Sequence, residues 1–122
     1  MKTEIVERNN KKVAIVDSEE LLITDVASAL ELIMTVKYET GCENIAINKD
    51  AIIDQFFILS TCLAGEILQK FINYGIRIAI YGDFSKYESK SLRDFIYECN
   101  KGKHIYFQPD VSLAIERLSS AS

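Results

Sequence analysis

The chain has 122 residues, of which 48% are hydrophobic and 26% are charged, and its formal net charge is -4. An acidic balance disfavours nucleic acid and anionic membranes as partners, because both select basic surfaces. A single proline and five glycines leave no room for a low-complexity linker, so we expect residues 1–122 to form one domain.

The first two elements are predicted to form a β-hairpin. Thr3–Glu7 and Lys12–Asp17 are rich in β-forming residues, and the intervening Asn9-Asn10 tolerates the left-handed conformation of a tight turn. Both faces of the second strand are apolar, which places it inside a sheet.

A helix is predicted next, with Thr24 as its N-cap and Asp25 in its first turn. Its core-facing stripe follows helical spacing: Val26, Leu30, Ile33, Met34 and Lys37. Gly41 is suited to end this helix in the left-handed C-cap conformation.

The centre of the chain predicts a strand, a helix and a second strand. Ile45–Asn48 and Ile76–Tyr81 have the continuous apolar character of parallel strands buried on both faces. Between them, residues 51–59 predict a packed turn or short helical piece, and Leu63–Tyr74 predicts a helix. Its stripe is Leu63, Ile67, Leu68, Phe71 and Tyr74. A close approach to the sheet would explain Gly65 in this helix.

The last third of the chain predicts a helix, a strand and a final helix. The third helix has two candidate starts, Ser85 and Ser91, since both open a capping-box pattern. Its apolar face is Leu92, Phe95, Ile96 and Cys99. Lys103–Phe107 is the last predicted strand, Asp110 is a suitable N-cap for the final helix, and Ser119–Ser122 is expected to be a frayed tail.

These elements predict an α/β domain of order β-β-α-β-α-β-α-β-α. About five strands form a mixed, mostly parallel sheet with four helices and right-handed crossovers. Such sheets place ligands beyond the carboxyl ends of their strands. Polar residues follow the two central strands there and, with Thr61, form a predicted rim: Asn48, Lys49, Asp50, Asp83 and Ser85. This rim is suited to a small molecule or an anion, or to a weak enzyme.

Three residues stand at the start of the second helix. One hydroxyl of Ser60 and Thr61 would cap the helix, a contribution of about 1 kcal/mol. In a functional interpretation, which is compatible with capping, the helix N-terminus receives a phosphate or an acidic side chain, or Thr61 is itself modified. Cys62 is either a thiol activated by the helix or a small buried hydrophobe.

No group of acid, base and nucleophile can be assembled from the motifs, so we predict no catalytic residues and no cofactor. The three cysteines are an odd number without C-x-x-C spacing, which disfavours both disulfides and a zinc site. A reducing cytoplasm fits this pattern. The charged N-terminus lacks the apolar run of a signal peptide, and no apolar stretch is long enough to span a bilayer.

Nearly the whole chain resembles a bacterial family, domain-of-unknown-function family 4180. The resemblance lies in LSTCLAGEILQKF at Leu59–Phe71, GDFS at Gly82–Ser85 and SKSLRDFIYE at Ser89–Glu98. The family has no established activity, so the resemblance implies none for this chain.

The order of elements is also similar to that of the STAS domain, the fold of anti-sigma-factor antagonists and of the cytoplasmic tails of sulfate transporters. Those domains carry an Asp-Ser-Ser-Gly-Leu turn whose second serine is phosphorylated by a partner kinase. Ser60 and Thr61 match the two serines, while Leu59 replaces the aspartate and Cys62 the glycine. The similarity implies a non-enzymatic, regulatory protein-interaction module with a protein partner and a switch at Ser60-Thr61. A homodimer without a ligand is a further possibility.

Overall fold

The computed structural model describes residues 2–120 and has the α/β fold that the sequence predicts. Its strands are β1 (Lys2–Arg8), β2 (Lys11–Asp17), β3 (Asn44–Asn48), β4 (Arg77–Tyr81) and β5 (Ile105–Gln108). Its helices are α1 (Val26–Thr40), α2 (Leu63–Asn73), α3 (Lys90–Lys101) and α4 (Val111–Ser120). None of these helices in residues 2–120 is long and apolar enough to cross a membrane.

The five strands lie side by side in chain order, β1-β2-β3-β4-β5. β1 is antiparallel to β2, and each later neighbour pair is parallel. β2 is therefore an interior strand, as predicted, and its Val13, Ala14 and Val16 are fully buried. Because β2 to β5 run in the same direction, their last residues meet at one edge of the sheet, which we call the carboxyl edge.

The sheet separates two apolar layers. Right-handed crossovers between consecutive parallel strands bring α1, α2 and α3 to one face, where they pack with Ala14, Ile45 and Ile78. Since α4 follows the last strand, it is free to cross to the other face, where Ala114 and Leu118 pack with residues of β2 to β5. Side chains alternate between the layers along each strand, as a period of two requires.

The first helix begins one residue later than predicted, with Asp25 as N-cap instead of Thr24. Asp25 Oδ1 accepts from the backbone N–H of Ser28 at 2.8 Å, and Ser28 Oγ accepts from the backbone N–H of Asp25 at 3.0 Å. The core-facing residues are Ala29, Leu32, Ile33 and Val36. Met34 was wrongly assigned to this stripe and is 43% exposed, because it lies one residue beyond the buried i, i+3, i+4, i+7 positions.

The segment before α2 folds as three short 3₁₀ turns: Lys49–Ala51, Asp54–Phe57 and Leu59–Thr61. They agree with the packed, partly helical segment that was predicted. Tyr74 caps α2 from outside the helix and stays partly exposed, so its assignment to the stripe was wrong. The close approach expected at Gly65 is also absent, since nothing lies within 4 Å of a Cβ built there.

The C-terminal elements differ from the prediction at their ends. α3 begins after Ser89, whose Oγ accepts from the backbone N–H of Leu92 at 3.2 Å, so neither Ser85 nor Ser91 is its N-cap. β5 begins at Ile105, which leaves Lys103 and His104 in the preceding turn. Ser119 is buried within α4, in contrast to the predicted frayed tail. The remainder of that predicted tail, Ala121 and Ser122, lies outside the described residues.

Candidate functional site

The loops that follow β3 and β4 enclose a cavity of about 430 Å³ at the carboxyl edge. This volume lies within the range of about 300–1,000 Å³ that small-molecule sites occupy. We call it the lysine cavity, because two lysines line it. Its lining residues come from the ends of three strands and the loops after them: Asp17, Asn48, Lys49, Asp50, Tyr81, Gly82, Asp83 and Lys86. The predicted rim residues Asn48, Lys49, Asp50 and Asp83 are thus brought together.

Two lysines of the cavity meet over one aromatic ring. The Nζ atom of Lys49 lies 5.4 Å from the ring centroid of Tyr87, and that of Lys86 lies 5.3 Å from the same centroid. Both distances are within the reach of cation–π attraction. The ring itself is held by stacking on Phe57, with centroids 5.2 Å apart. The two cations therefore share a rigid aromatic support.

The two lysines have different electrostatic environments. The side chain of Lys49 is only 11% exposed, whereas Lys86 is an exposed residue. Burial lowers the pKa of Lys49, and the nearby Lys86 ammonium lowers it further. The pKa of Lys86 is raised, chiefly because its ammonium is stabilised by the Lys49 side chain once that amine has lost its proton. On raising the pH, Lys49 is accordingly the first of the two to lose its proton.

Carboxylates near the lysine pair, including Asp83, act on it electrostatically without forming close ion pairs. The closest ion pair joins Lys49 Nζ to Asp50 Oδ1 at 3.9 Å, and the Asp50 side chain is 80% exposed. An exposed pair of this length contributes at most about 1 kcal/mol. The Asp54 carboxylate raises the pKa of both lysines electrostatically, from beyond ion-pair distance. Among the described residues, neither lysine makes a carboxylate contact shorter than 3.9 Å, so a closer position beside the two ammonium groups is open to an anion.

The loop after β4 is fixed by Asp83 and Ser85. Asp83 Oδ1 accepts from the Oγ of Ser85 at 2.6 Å and from its backbone N–H at 2.9 Å. These two hydrogen bonds lower the pKa of Asp83. Ser85 lines a neighbouring cavity of about 380 Å³ with Phe84 and Phe107, and it does not line the lysine cavity. Its role at the rim is therefore to orient Asp83.

The side-chain amide of Asn48 forms hydrogen bonds with the backbone of the loop after β2. Its Oδ1 accepts from the backbone N–H of Ser18 at 3.0 Å, and its Nδ2 donates to the Ser18 carbonyl at 2.7 Å. The amide thereby ties the ends of two neighbouring strands together. Asn48 shapes the cavity wall, and its amide has little hydrogen-bonding capacity left for a ligand.

Asp17 and Tyr81 also line the lysine cavity. Partial burial, with a smaller contribution from the Asp17 carboxylate, raises the pKa of Tyr81 to about 12. Tyr81 is thus a neutral hydroxyl at physiological pH. Together, Tyr81, Asp17 and the lysine pair present a hydroxyl, a carboxylate and two cationic groups to one small volume.

Thr61 lies outside this arrangement. Its Oγ1 lies 2.9 Å from the Gln55 carbonyl and 2.8 Å from the Ile58 carbonyl, to which it donates, and it accepts from the backbone N–H of Leu63 at 3.3 Å. Thr61 therefore holds the last 3₁₀ turn against the start of α2. The predicted rim is smaller than expected, because Thr61 does not line the lysine cavity.

Ser60 and Cys62 flank Thr61 at the surface. Ser60 lines a separate cavity of about 700 Å³, which shares Lys86 with the lysine cavity. Cys62 is exposed and has a left-handed backbone with φ of 64°, and its side chain makes no capping hydrogen bond to α2. Cys62 is thus an exposed thiol and differs from the buried alternative considered above.

The rim predicted from the sequence included neither Lys86 nor Tyr87. The signal was available in part, because Lys49 and Lys86 follow neighbouring parallel strands and such loops meet at one edge. The packing of the Tyr87 ring beside both lysines could not be predicted in the same way. Phe57, Phe84 and Phe107 position that ring through contacts between segments distant in the chain.

No group of three His, Cys, Asp or Glu side chains that could hold a metal ion occurs in residues 2–120. A second cavity, at the opposite edge of the sheet, has a volume of about 250 Å³ and is lined in part by His104 and Lys11. It is smaller than the usual ligand sites. The lysine cavity is therefore the better candidate.

Comparisons with known proteins give a family but no characterised relative. A family model with the description "domain of unknown function (DUF4180)" matches residues 8–118. No curated protein matches the chain, and no solved structure does. The matched range contains every residue that lines the lysine cavity.

Proposed function

We propose that the chain, which belongs to the DUF4180 family, binds a small anionic metabolite in the lysine cavity. The description of the family names no activity. One observation carries the proposal: Lys49 and Lys86 meet over the Tyr87 ring inside a cavity of about 430 Å³. This cavity lies at the carboxyl edge, where open α/β sheets bind their ligands.

An anion between the lysines is favoured by the electrostatics of the pair. Two ammonium groups beside one ring repel each other, and the partial burial of Lys49 strengthens that repulsion by lowering the local dielectric constant. A carboxylate or phosphate group that accepts from both would replace repulsion with two charge-assisted hydrogen bonds. Ligand binding is therefore expected to raise the pKa of Lys49 towards its ordinary value.

The remaining wall indicates what else the ligand carries. Asp17 and Asp83 line the cavity and carry acceptor oxygens, and Tyr81, which also lines it, carries a hydroxyl. These groups suit a ligand with hydroxyl or amino substituents, such as a hydroxy acid or an amino acid. An apolar acid would leave them without partners, and its affinity would be lower.

The proposal is tested by a two-dimensional ¹⁵N–¹H NMR titration at constant ionic strength. The probes are inorganic phosphate, lactate and serine, added separately to the full chain. We expect saturable shifts of the Gly82 and Lys86 amides with at least one probe, and their loss in Lys49→Gln and in Lys86→Gln. Unchanged shifts in both variants, or no shift at the lysine cavity with any probe, would overturn the proposal.

Lys90→Gln is the matched control for this titration. Lys90 is a lysine on α3 whose side chain is 81% exposed and pairs with Asp94 at 2.7 Å. It does not line the lysine cavity. This variant lowers the net charge of the chain by the same amount as the two test variants. Because the charge it removes lies outside the cavity, the probe shifts should be the same as in the parent protein.

A second candidate function is docking of a protein partner beside Ser60. The adjacent Ile58 is 53% exposed and lines the same cavity of about 700 Å³, which supports an apolar contact with a partner. Ser60 is an exposed residue, whereas the Thr61 hydroxyl is held by two carbonyls. Of the two, Ser60 is thus the better position for a modification that alters docking.

An affinity pull-down from the source cell, with Ser60→Glu and Thr61→Glu as variants, tests this second candidate. Ser60→Glu is expected to change the recovery of a stoichiometric partner while the fold is retained. Thr61→Glu is expected to lower the denaturation midpoint, because it breaks the hydrogen bonds of the last 3₁₀ turn. Equal partner recovery with Ser60→Glu and the parent chain would exclude the switch.

A further inference from the structure

We infer that Lys49 is a nucleophilic amine that forms an imine with the carbonyl group of a 2-oxo acid, while Lys86 binds the carboxylate of the same ligand. This inference rests on the proposed function, since it assigns a ligand class and a covalent step to the same cavity. It goes further in giving the two lysines different roles.

The geometry holds Lys49 as a reactive side chain must be held. Its stem packs against the backbone of Gly82, where an added Cβ would lie 2.8 Å from Lys49 Cβ. Its Nζ lies over the Tyr87 ring, and only 11% of its side chain is exposed. The amine is therefore held at the cavity wall. Ordinary surface lysines, in contrast, are mobile in solvent.

The surroundings favour the neutral, nucleophilic form of this amine. A lysine becomes a nucleophile when it is desolvated or placed beside another cation, and Lys49 is subject to both effects. Each unit by which its pKa falls increases the neutral fraction about tenfold at neutral pH. The titratable groups that act on Lys49 or line its cavity are Lys86, Tyr87, Asp50, Asp54, Asp83, Asp17 and Tyr81. Of these, the nearby carboxylates oppose the shift, and Lys86 supports it.

The chemistry needs no further reactant. The lone pair of the Lys49 amine attacks the carbonyl carbon, a carbon–nitrogen double bond forms, and the carbon–oxygen bond breaks. The carbonyl oxygen leaves as water and takes both protons of the neutral amine. No electron is gained or lost overall, so neither an oxidant nor a reductant is required.

A 2-oxo acid matches the spacing of the two nitrogens. Its carbonyl and carboxylate carbons are bonded to each other, and the Lys49 and Lys86 nitrogens line one cavity, 5.4 Å and 5.3 Å from the same Tyr87 ring centroid. One ligand can thus place its carboxylate on the Lys86 ammonium and its carbonyl carbon beside the Lys49 amine. An aldehyde or ketone without the acid group lacks the first contact and should react more slowly.

The test is reductive trapping of the full chain with glyoxylate. Borohydride adds hydride to an imine carbon and leaves a stable secondary amine, which intact-mass and peptide-mass measurements locate. We expect one addition, at Lys49, formed severalfold faster than at the exposed Lys90. Trapping at Lys49 should fall severalfold in Lys86→Gln, which removes both the neighbouring cation and the carboxylate contact, and should not change in Lys90→Gln.

Two further measurements complete the test. In the parent chain, the pH profile of trapping at Lys49 should have its midpoint below 10.5, the ordinary lysine value. In Lys49→Arg, checked for folding by circular dichroism, the cavity addition should be absent. Trapping spread evenly over surface lysines, or a Lys49 midpoint at the ordinary value, would overturn the inference.

Glycolate, which has the acid group but no carbonyl, separates this inference from the proposed function. If glycolate shifts the Gly82 and Lys86 amides and glyoxylate is not trapped at Lys49, the imine is excluded and the binding function stands. If glycolate and the three other probes give no shift at the lysine cavity and glyoxylate is not trapped at Lys49, the imine and the binding function are both excluded.

Discussion

Gly82 and Lys49 meet where the loops after β4 and β3 cross: a Cβ built on residue 82 would lie 2.8 Å from the Cβ of Lys49. Gly82 also has φ of +154°, a backbone conformation that is essentially restricted to glycine. Its backbone N–H donates to the Gln108 carbonyl at 3.1 Å, which ties the loop to β5. The glycine thus sets the position of Lys49 relative to the sheet.

Replacement of Gly82 by alanine is expected to lower the free energy of unfolding by roughly 1–3 kcal/mol, because the new Cβ is strained and displaces the Lys49 stem. Urea denaturation measures this loss. Gly65→Ala is the control, since nothing lies within 4 Å of a Cβ there, and it should raise the free energy of unfolding by about 0.5–1 kcal/mol. Equal stability of Gly82→Ala and the parent chain would contradict the close contact.

The three cysteines are expected to react in a definite order with iodoacetamide at about pH 8. Cys62 is exposed and should be alkylated first. Cys99 should follow, because burial raises the pKa of its thiol to about 11 and leaves little thiolate. Cys42 is 1% exposed and should react only when the chain unfolds. Peptide mass mapping over time gives the order, and alkylation of Cys99 before Cys62 would contradict it.

The order and type of the helices and strands were predictable because each carries a local signal. Apolar runs such as that of β3 and helical stripes such as that of α2 depend on residues close together in sequence. Helix starts were less predictable, since several hydroxyl and carboxylate residues compete for each N-cap. The choice of Asp25 over Thr24 depends on the reciprocal hydrogen bonds with Ser28, which the prediction did not weigh.

The place of the candidate site was also predictable, since parallel strands bring their following loops to one edge. The residues that form the site were only partly predictable. Thr61 was expected at the rim, but it is held in the 3₁₀ turn before α2 by carbonyls of Gln55 and Ile58. The pairing of Lys49 with Lys86 depends on an aromatic cluster assembled from four separate segments, which no local pattern encodes.

The hydroxyl of Tyr81 is expected to titrate at a pKa of about 12. Because this folded-state pKa is raised above 10.0, the tyrosine contributes stability that is complete below pH 10.0 and is lost as the pH rises through about 12. Denaturant midpoints measured across that range should fall less steeply in Tyr81→Phe. Asp17→Asn should lower the pKa of Tyr81, since the Asp17 carboxylate helps to hold the hydroxyl neutral.

Replacement of Lys49 by methionine is expected to stabilise the chain while it abolishes anion binding. Methionine fills similar space without a partly buried charge beside Lys86, so the free energy of unfolding should rise by roughly 0.5–2 kcal/mol. Lys90→Met, at an exposed position on α3, should change it by no more than about 0.5 kcal/mol.

The pH dependence of Lys49→Met provides a second, independent readout. The folded-state pKa of Lys49 is lowered, so between that value and 10.5 the unfolded chain binds more protons than the folded one. The stability contribution of Lys49 therefore rises with pH across this window in the parent chain, and the variant should lack that rise. Urea midpoints measured from neutral pH to pH 10.5 test this, with Lys90→Met following the parent profile. Identical profiles for Lys49→Met and Lys90→Met would show that Lys49 carries no strained charge, and the electrostatic basis for an anion site at the lysine pair would then be lost.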